Sequence, residues 1–135
     1  MRLLLDLQLN RELMNQSALS EPDYDVLSNL SQTDGESMRL TDLATHMRWS
    51  KSRLSHHVTR MQQRGLVDRE ECADDGRGSM LVLTKKGRRA IEAAAPGHVA
   101  SVRTHLIDLL SDEEIDTLAN VSERVLSHLS DQRPE

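Results

Sequence analysis

The chain has 135 residues, with 17 Lys+Arg against 22 Asp+Glu and a formal charge of −5, so it is one domain, or one domain with helical arms, on a net acidic body. It contains no Phe, one Trp and one Tyr, which excludes a large aromatic-lined pocket and leaves Leu, Val, Ile, Met and Ala to build a mostly helical core. The lone Cys72 excludes an internal disulfide, and the opening run Leu3-Leu4-Leu5-Asp6-Leu7-Gln8-Leu9 is too short and polar to cross a bilayer and lacks a cleavage site, so a soluble cytoplasmic protein without a membrane partner is expected.

Apolar periodicity predicts about six helices and one β-hairpin. The first helix covers residues 3–16, with Leu3, Leu7 and Leu13 on a buried stripe. Ser20-Glu21-Pro22-Asp23 reads as a helix start: a hydroxyl cap, a proline whose missing N–H does no harm, and carboxylates beside the positive end of the dipole. That second helix turns Tyr24, Val26, Leu27 and Leu30 inward and stops before Asp34-Gly35. Thr41 caps a short third helix, residues 42–47.

Ser50 caps a fourth helix, residues 51–64, and Gly65 falls where a left-handed C-terminal cap belongs. Residues 66–72 and 80–83 have the length and alternation of two strands, joined by a turn at Asp74-Asp75-Gly76-Arg77-Gly78-Ser79. Thr84 caps a long helix that meets Pro96-Gly97, a pair expected to kink or break it. Ser111-Asp112-Glu113-Glu114 is a capping box, and Ile115, Leu118, Val121, Val125 and Leu129 form one stripe on the last helix.

Helix, tight link, polar-faced helix and hairpin, in that order, make a winged helix-turn-helix domain at residues 20–95, with helical dimerisation regions at 1–19 and 96–135. On a wheel at ~100° per residue, Leu54, Val58 and Met61 face the core while Ser52, His56, Thr59 and Gln63 lie opposite, with Arg53 and Arg60 on the flank. No acidic residue occurs from Ser50 to Arg64, which suits a helix pressed against phosphates and base edges. Ser52, Arg53 and His56, near the helix start, are candidates for base contacts, and Arg53 can grip guanine through two acceptors. Ser50, Lys51, Thr59, Arg60 and Gln63 are candidates for phosphate contacts. The competing reading of each is a solvated surface residue. At the hairpin tip, Arg77 is placed to enter a minor groove, Gly76 and Gly78 permit the turn, and Asp75 is placed to pair with an arginine and fix it.

Charge supports this assignment. Between Arg48 and Arg89 there are 11 basic and five acidic residues, an excess of +6 that leaves −11 elsewhere. A winged domain of this size also cannot cover every apolar stripe: Leu3, Leu7, Leu106, Leu109, Leu110, Leu118, Val125 and Leu129 need partners, which a second copy provides.

Leu43-Ala44, the run from Trp49 to Val58, Arg64-Gly65-Leu66-Val67, Asp75-x-Arg77 and Val82-Leu83-Thr84-x-x-Gly87 together resemble the MarR family of bacterial transcription regulators, over almost the whole chain. The resemblance implies a homodimer whose N- and C-terminal helices interlock, with two winged domains on a pseudo-palindromic double-stranded DNA operator. It further implies a repressor released by a small-molecule or oxidant effector. Two departures stand out: the first helix is shorter than is usual, and Gly76 stands where many members carry another arginine.

Cys72 adjoins Glu70 and Glu71, which favours a plain strand cysteine over an oxidation sensor. His98 and His105 lie two turns apart, but no Cys/His cluster with zinc spacing exists, and there is no phosphate loop, nucleophile elbow or metalloprotease helix. No metal, cofactor or catalytic activity is therefore expected. The alternative function is a winged-helix module used for protein–protein or RNA contacts.

Overall fold

The computed structural model describes residues 1–71 and 78–131. The expectations for Cys72, Asp75, Gly76 and Arg77 lie outside the described residues. The chain divides into two compact units, Met1–His98 and Val99–Glu135.

In the first unit, helix α1 (Arg2–Ser17) ends at Ala18, whose left-handed backbone lets its N–H reach the Met14 carbonyl. Only Leu9 and Leu13 of this helix are buried, whereas Leu3 and Leu7 are 71% and 52% exposed. The expected inward stripe is thus corrected, because Leu13 alone of the three joins the core. Helix α2 (Glu21–Ser31) starts in a reciprocal box: the Asp23 N–H donates to Ser20 Oγ at 3.1 Å and the Ser20 N–H to Asp23 Oδ2 at 3.0 Å. Its Val26, Leu27 and Leu30 are fully buried.

A strand absent from the sequence reading follows. β1 (Ser37–Arg39) pairs antiparallel with β3 (Ser79–Leu83), and β3 pairs on its other side with β2 (Val67–Glu71), giving the order β1-β3-β2. The expected hairpin is therefore two-thirds of a three-stranded sheet. Because β1 delivers the chain straight into α3 (Leu40–Met47), Arg39 occupies the cap position and no side chain caps the helix; Thr41 lies inside it. The turn between α3 and α4 (Lys51–Gln63) runs through Arg48 at φ 59, with the Trp49 N–H bonded to the Ala44 carbonyl at 2.9 Å. Gly65, at φ 77, closes α4 as its left-handed cap.

The core is aliphatic. Leu54, Val58 and Met61 of α4 are fully buried among Leu27, Leu43 and Leu81, and burial of side chains of this size stabilises by about 2 kcal/mol each. Helix α5 (Lys85–His105) is capped by Thr84, whose Oγ accepts the Gly87 N–H at 2.9 Å. Gly87 is obligatory there: a Cβ would stand 2.0 Å from the Leu66 carbonyl oxygen. Pro96 lies inside α5 without breaking it. The missing N–H forfeits one hydrogen bond, and the helix continues on either side.

The second unit holds the end of α5, a 3-10 turn at Ile107–Leu109, and α6 (Asp112–Asp131). The box at its start is present, with the Glu114 N–H on Ser111 Oγ at 3.2 Å and the Ser111 N–H on Glu114 Oε2 at 2.8 Å. No residue of α6 is buried: Leu118, Val121, Val125, Leu126 and Leu129 are all exposed.

Candidate nucleic-acid interface

Helix α4 presents one buried and one open face. Ser50, Lys51, Ser52, Arg53, His56, Thr59, Arg60 and Gln63 are all exposed, whereas Leu54, Val58 and Met61 are buried. Ser50 is the cap, its Oγ accepting the Arg53 N–H at 3.2 Å, so the helix start points its free N–H groups outward beside Ser52 and Arg53. Gly78 lies at φ 107, a conformation that favours glycine, with open space around it.

The hydroxyls and cations of this face are partly committed within the chain. Thr59 donates to the Ser55 carbonyl at 2.9 Å. Arg60 Nη2 lies 3.3 Å from His57 Nδ1, and the Arg53 guanidinium carbon sits 3.6 Å from the centre of the Trp49 ring. Arg69, reaching from β2, donates to Ser55 Oγ at 3.3 Å, to the Ser55 carbonyl at 3.0 Å and to Thr59 Oγ1 at 3.4 Å, so it ties the hairpin to the middle of α4.

Beneath the open face lies a polar network that residue patterning missed. Asp23 is buried, with Arg64 Nη1 2.7 Å from Oδ2 and His57 Nε2 3.0 Å from Oδ1. Arg64 Nη2 also donates to the Ala18 carbonyl at 2.8 Å. Burial raises the Asp23 pKa, but the His57 ring nitrogen 3.0 Å away, hydrogen bonds from the Ser20 N–H and Arg64, and the Arg64 charge outweigh it and hold the carboxyl well below the usual carboxylate range. The partners are far apart in the chain, so no local spacing signals them; Asp23 was legible only as a carboxylate at a helix start. Lys86 Nζ donates to the Arg64 carbonyl at 2.7 Å, and Arg88 pairs with Glu36 and Glu92. Arg64, Arg69, Lys86 and Arg88 therefore serve the fold, and the cationic excess counted from the sequence overstates what this face offers a polyanion.

Among the described residues no group of three or more His, Cys, Asp or Glu is placed to hold a metal ion, and no helix is long and apolar enough to cross a membrane.

A helix-turn-helix whose second helix is capped at its exposed start, followed by a paired hairpin, defines a winged-helix protein. The family model described as "MarR family" matches residues 19–78. The transcriptional regulator HosA of Escherichia coli O157:H7 is 31% identical over 111 residues, 81% of this chain and 78% of HosA. Among solved structures, the MarR family regulator AbsC of Streptomyces coelicolor is similar at 44% identity and a TM-score of 0.91, over 97% of this chain and 88% of AbsC. Sco3205 of the same organism, a MarR family regulator solved in complex with DNA, is 34% identical with a TM-score of 0.91, over 95% of this chain and 80% of that one. The chain belongs to the MarR family of transcription regulators and is not an enzyme.

Proposed function

We propose that this regulator binds double-stranded DNA in a sequence-specific way as a homodimer on a pseudo-palindromic operator, and that it represses. The observation that carries the reading is the outer face of α4: wholly exposed, rich in donors, and without one acidic residue from Ser50 to Arg64. In a major groove, Ser52, Arg53 and His56 meet base edges, while Ser50, Lys51, Thr59, Arg60 and Gln63 hold phosphates. Residues 20–95 act as the winged DNA-binding domain, and Arg77 at the hairpin tip addresses the minor groove, with Asp75, Gly76 and Gly78 shaping the tip. The DNA complex of Sco3205 supports this mode of action.

The dimer reading rests on apolar side chains left open in each unit. Leu3 and Leu7 in the first unit and Leu118, Val125 and Leu129 in the second are exposed, a cost to a monomer in water that a two-fold partner removes. Leu106 and Leu110, which are half-buried, join them, so residues 1–19 and 96–135 supply the dimerisation helices. A two-fold dimer sets the half-sites about one helical turn, ~10 bp, apart. Release by a small-molecule effector completes the proposed cycle.

Selection of bound duplexes from random oligonucleotides tests the reading. Enrichment of an inverted repeat with half-site centres about one turn apart supports it; no enriched sequence contradicts it.

A further inference from the structure

We infer that Trp49 is a positioning residue for Arg53: its indole face holds the guanidinium in a fixed plane at the start of α4 before DNA arrives, and this is what makes Arg53 selective for one base pair. The inference rests on the reading of α4 as the base-contacting helix.

The geometry supplies each part. The Arg53 guanidinium carbon stands 3.6 Å from the centre of the Trp49 ring, the distance of a stacked cation–π pair. Such a stack occupies the face of the guanidinium and leaves its in-plane N–H donors free, and those edges are what a guanine would accept. Arg53 is also held at its backbone, through its N–H on Ser50 Oγ at 3.2 Å. Among the described residues its guanidinium has no carboxylate partner, so the ring is what orients it.

The platform is itself held. The Trp49 ring packs partly buried against the core, and the left-handed turn at Arg48 and the Trp49 N–H bond to Ala44 fix its backbone. Its ring meets that of His57 edge-on, with centroids 5.6 Å apart at 76°, and His57 Nε2 stands 3.0 Å from Asp23 Oδ1. An unsupported surface arginine surrenders the freedom of a long side chain on binding; one already stacked surrenders less, and wrong placements are disfavoured.

A double-mutant cycle tests this with the operator selected by the wild type and with duplexes changed at each base pair of one half-site. Trp49→Leu should weaken operator binding by roughly twofold to thirtyfold, the range of a cation–π contact, and flatten preference at the same base pair as Arg53→Ala. In an Arg53→Ala background it should have no further effect, because a platform without its arginine has nothing to position. The slope of affinity against salt should not change, since Trp49 neutralises no phosphate. Trp49→Phe, which keeps an aromatic face, should lose less at that same base pair, and it carries the test if the leucine variant does not fold. Because Trp49 is the only tryptophan, Arg53→Ala should also shift the intrinsic emission of the folded protein. Preference retained in Trp49→Leu but lost in Arg53→Ala overturns the inference, as does an equal loss in the Arg53→Ala background. Equal binding of every duplex by the wild type overturns the underlying reading instead.

Discussion

His57 Nε2 stands 3.0 Å from Asp23 Oδ1, joining the buried face of α4 to the first turn of α2. The same carboxylate takes Arg64 at its other oxygen, so one buried acid holds α4 at its middle and at its C-terminal cap. Asparagine keeps one carbonyl oxygen but loses the charge and the second acceptor, so Arg64, His57 and the Ser20 N–H can no longer all be satisfied. Asp23→Asn should therefore cost about 3 kcal/mol of folding stability at neutral pH. The pH dependence has a definite sign. The folded carboxyl lies below its ordinary value of 3.8, so its contribution is complete above that value and is lost as the pH falls toward the folded one. Urea melts of wild type and Asp23→Asn should converge as the pH is lowered below 3.8; a gap that widens in acid contradicts the assignment.

Gly87, in the first turn of α5, packs against Leu66, the residue just before β2. An added Cβ meets the Leu66 carbonyl oxygen at 2.0 Å and Leu83 Cδ1 at 2.9 Å, and the nearer atom is backbone rather than the end of a flexible side chain. Gly87→Ala should destabilise by about 3 kcal/mol, at the upper end for overpacking. Gly97→Ala is the control, because the nearest atom there is the movable end of Gln16. Thermal melts in which both variants match the wild type would refute the close approach.

Arg69 ties β2 to Ser55 and Thr59. Arg69→Met should lose about 1 to 2 kcal/mol of stability and weaken operator binding by loosening the wing against α4, without altering the salt slope. Lys51→Ala, by contrast, should reduce that slope by about one. If Arg69→Met reduces the slope as Lys51→Ala does, Arg69 contacts phosphate and the tie is not its main role.

Much of this architecture was legible because it is local. Ser20, Ser50 and Ser111 announce helix starts through their own hydroxyls, Gly65 through its backbone freedom, and Leu54, Val58 and Met61 through a spacing that only a helix puts on one side. β1 was not legible: three residues carry no period, and they are extended because β3 offers an edge more than forty residues later. Thr41 had the chemistry of a cap, yet the strand runs directly into α3 and puts Arg39 in that position. Asp23, His57 and Arg64 meet only in the folded chain, the two ends of one bond lying 41 positions apart. Likewise, which cations face solvent is decided by tertiary pairing, so Arg64 and Arg69 read like Lys51 and Arg60 until the fold separates them.

The open stripe of α6 predicts the oligomeric state. A protomer is 15.3 kDa, and wild type should scatter light at twice that mass at micromolar concentration. Val125→Asp places a charge in the middle of the stripe and should shift the mass to that of one protomer while leaving the helical signal of the folded chain. A monomeric wild type, or an unaffected dimer in both Val125→Asp and Leu118→Asp, contradicts the proposed interface.

The most direct test of the central claim is a titration of the wild-type protein against its selected operator and a scrambled duplex of equal length across a salt series. The account predicts operator binding tighter than scrambled by about a thousandfold or more at physiological salt. Affinity for both should fall steeply as salt rises, by about 0.9 logarithmic units per tenfold change for each phosphate neutralised. Equal and weak binding to both duplexes, with little response to salt, would contradict it.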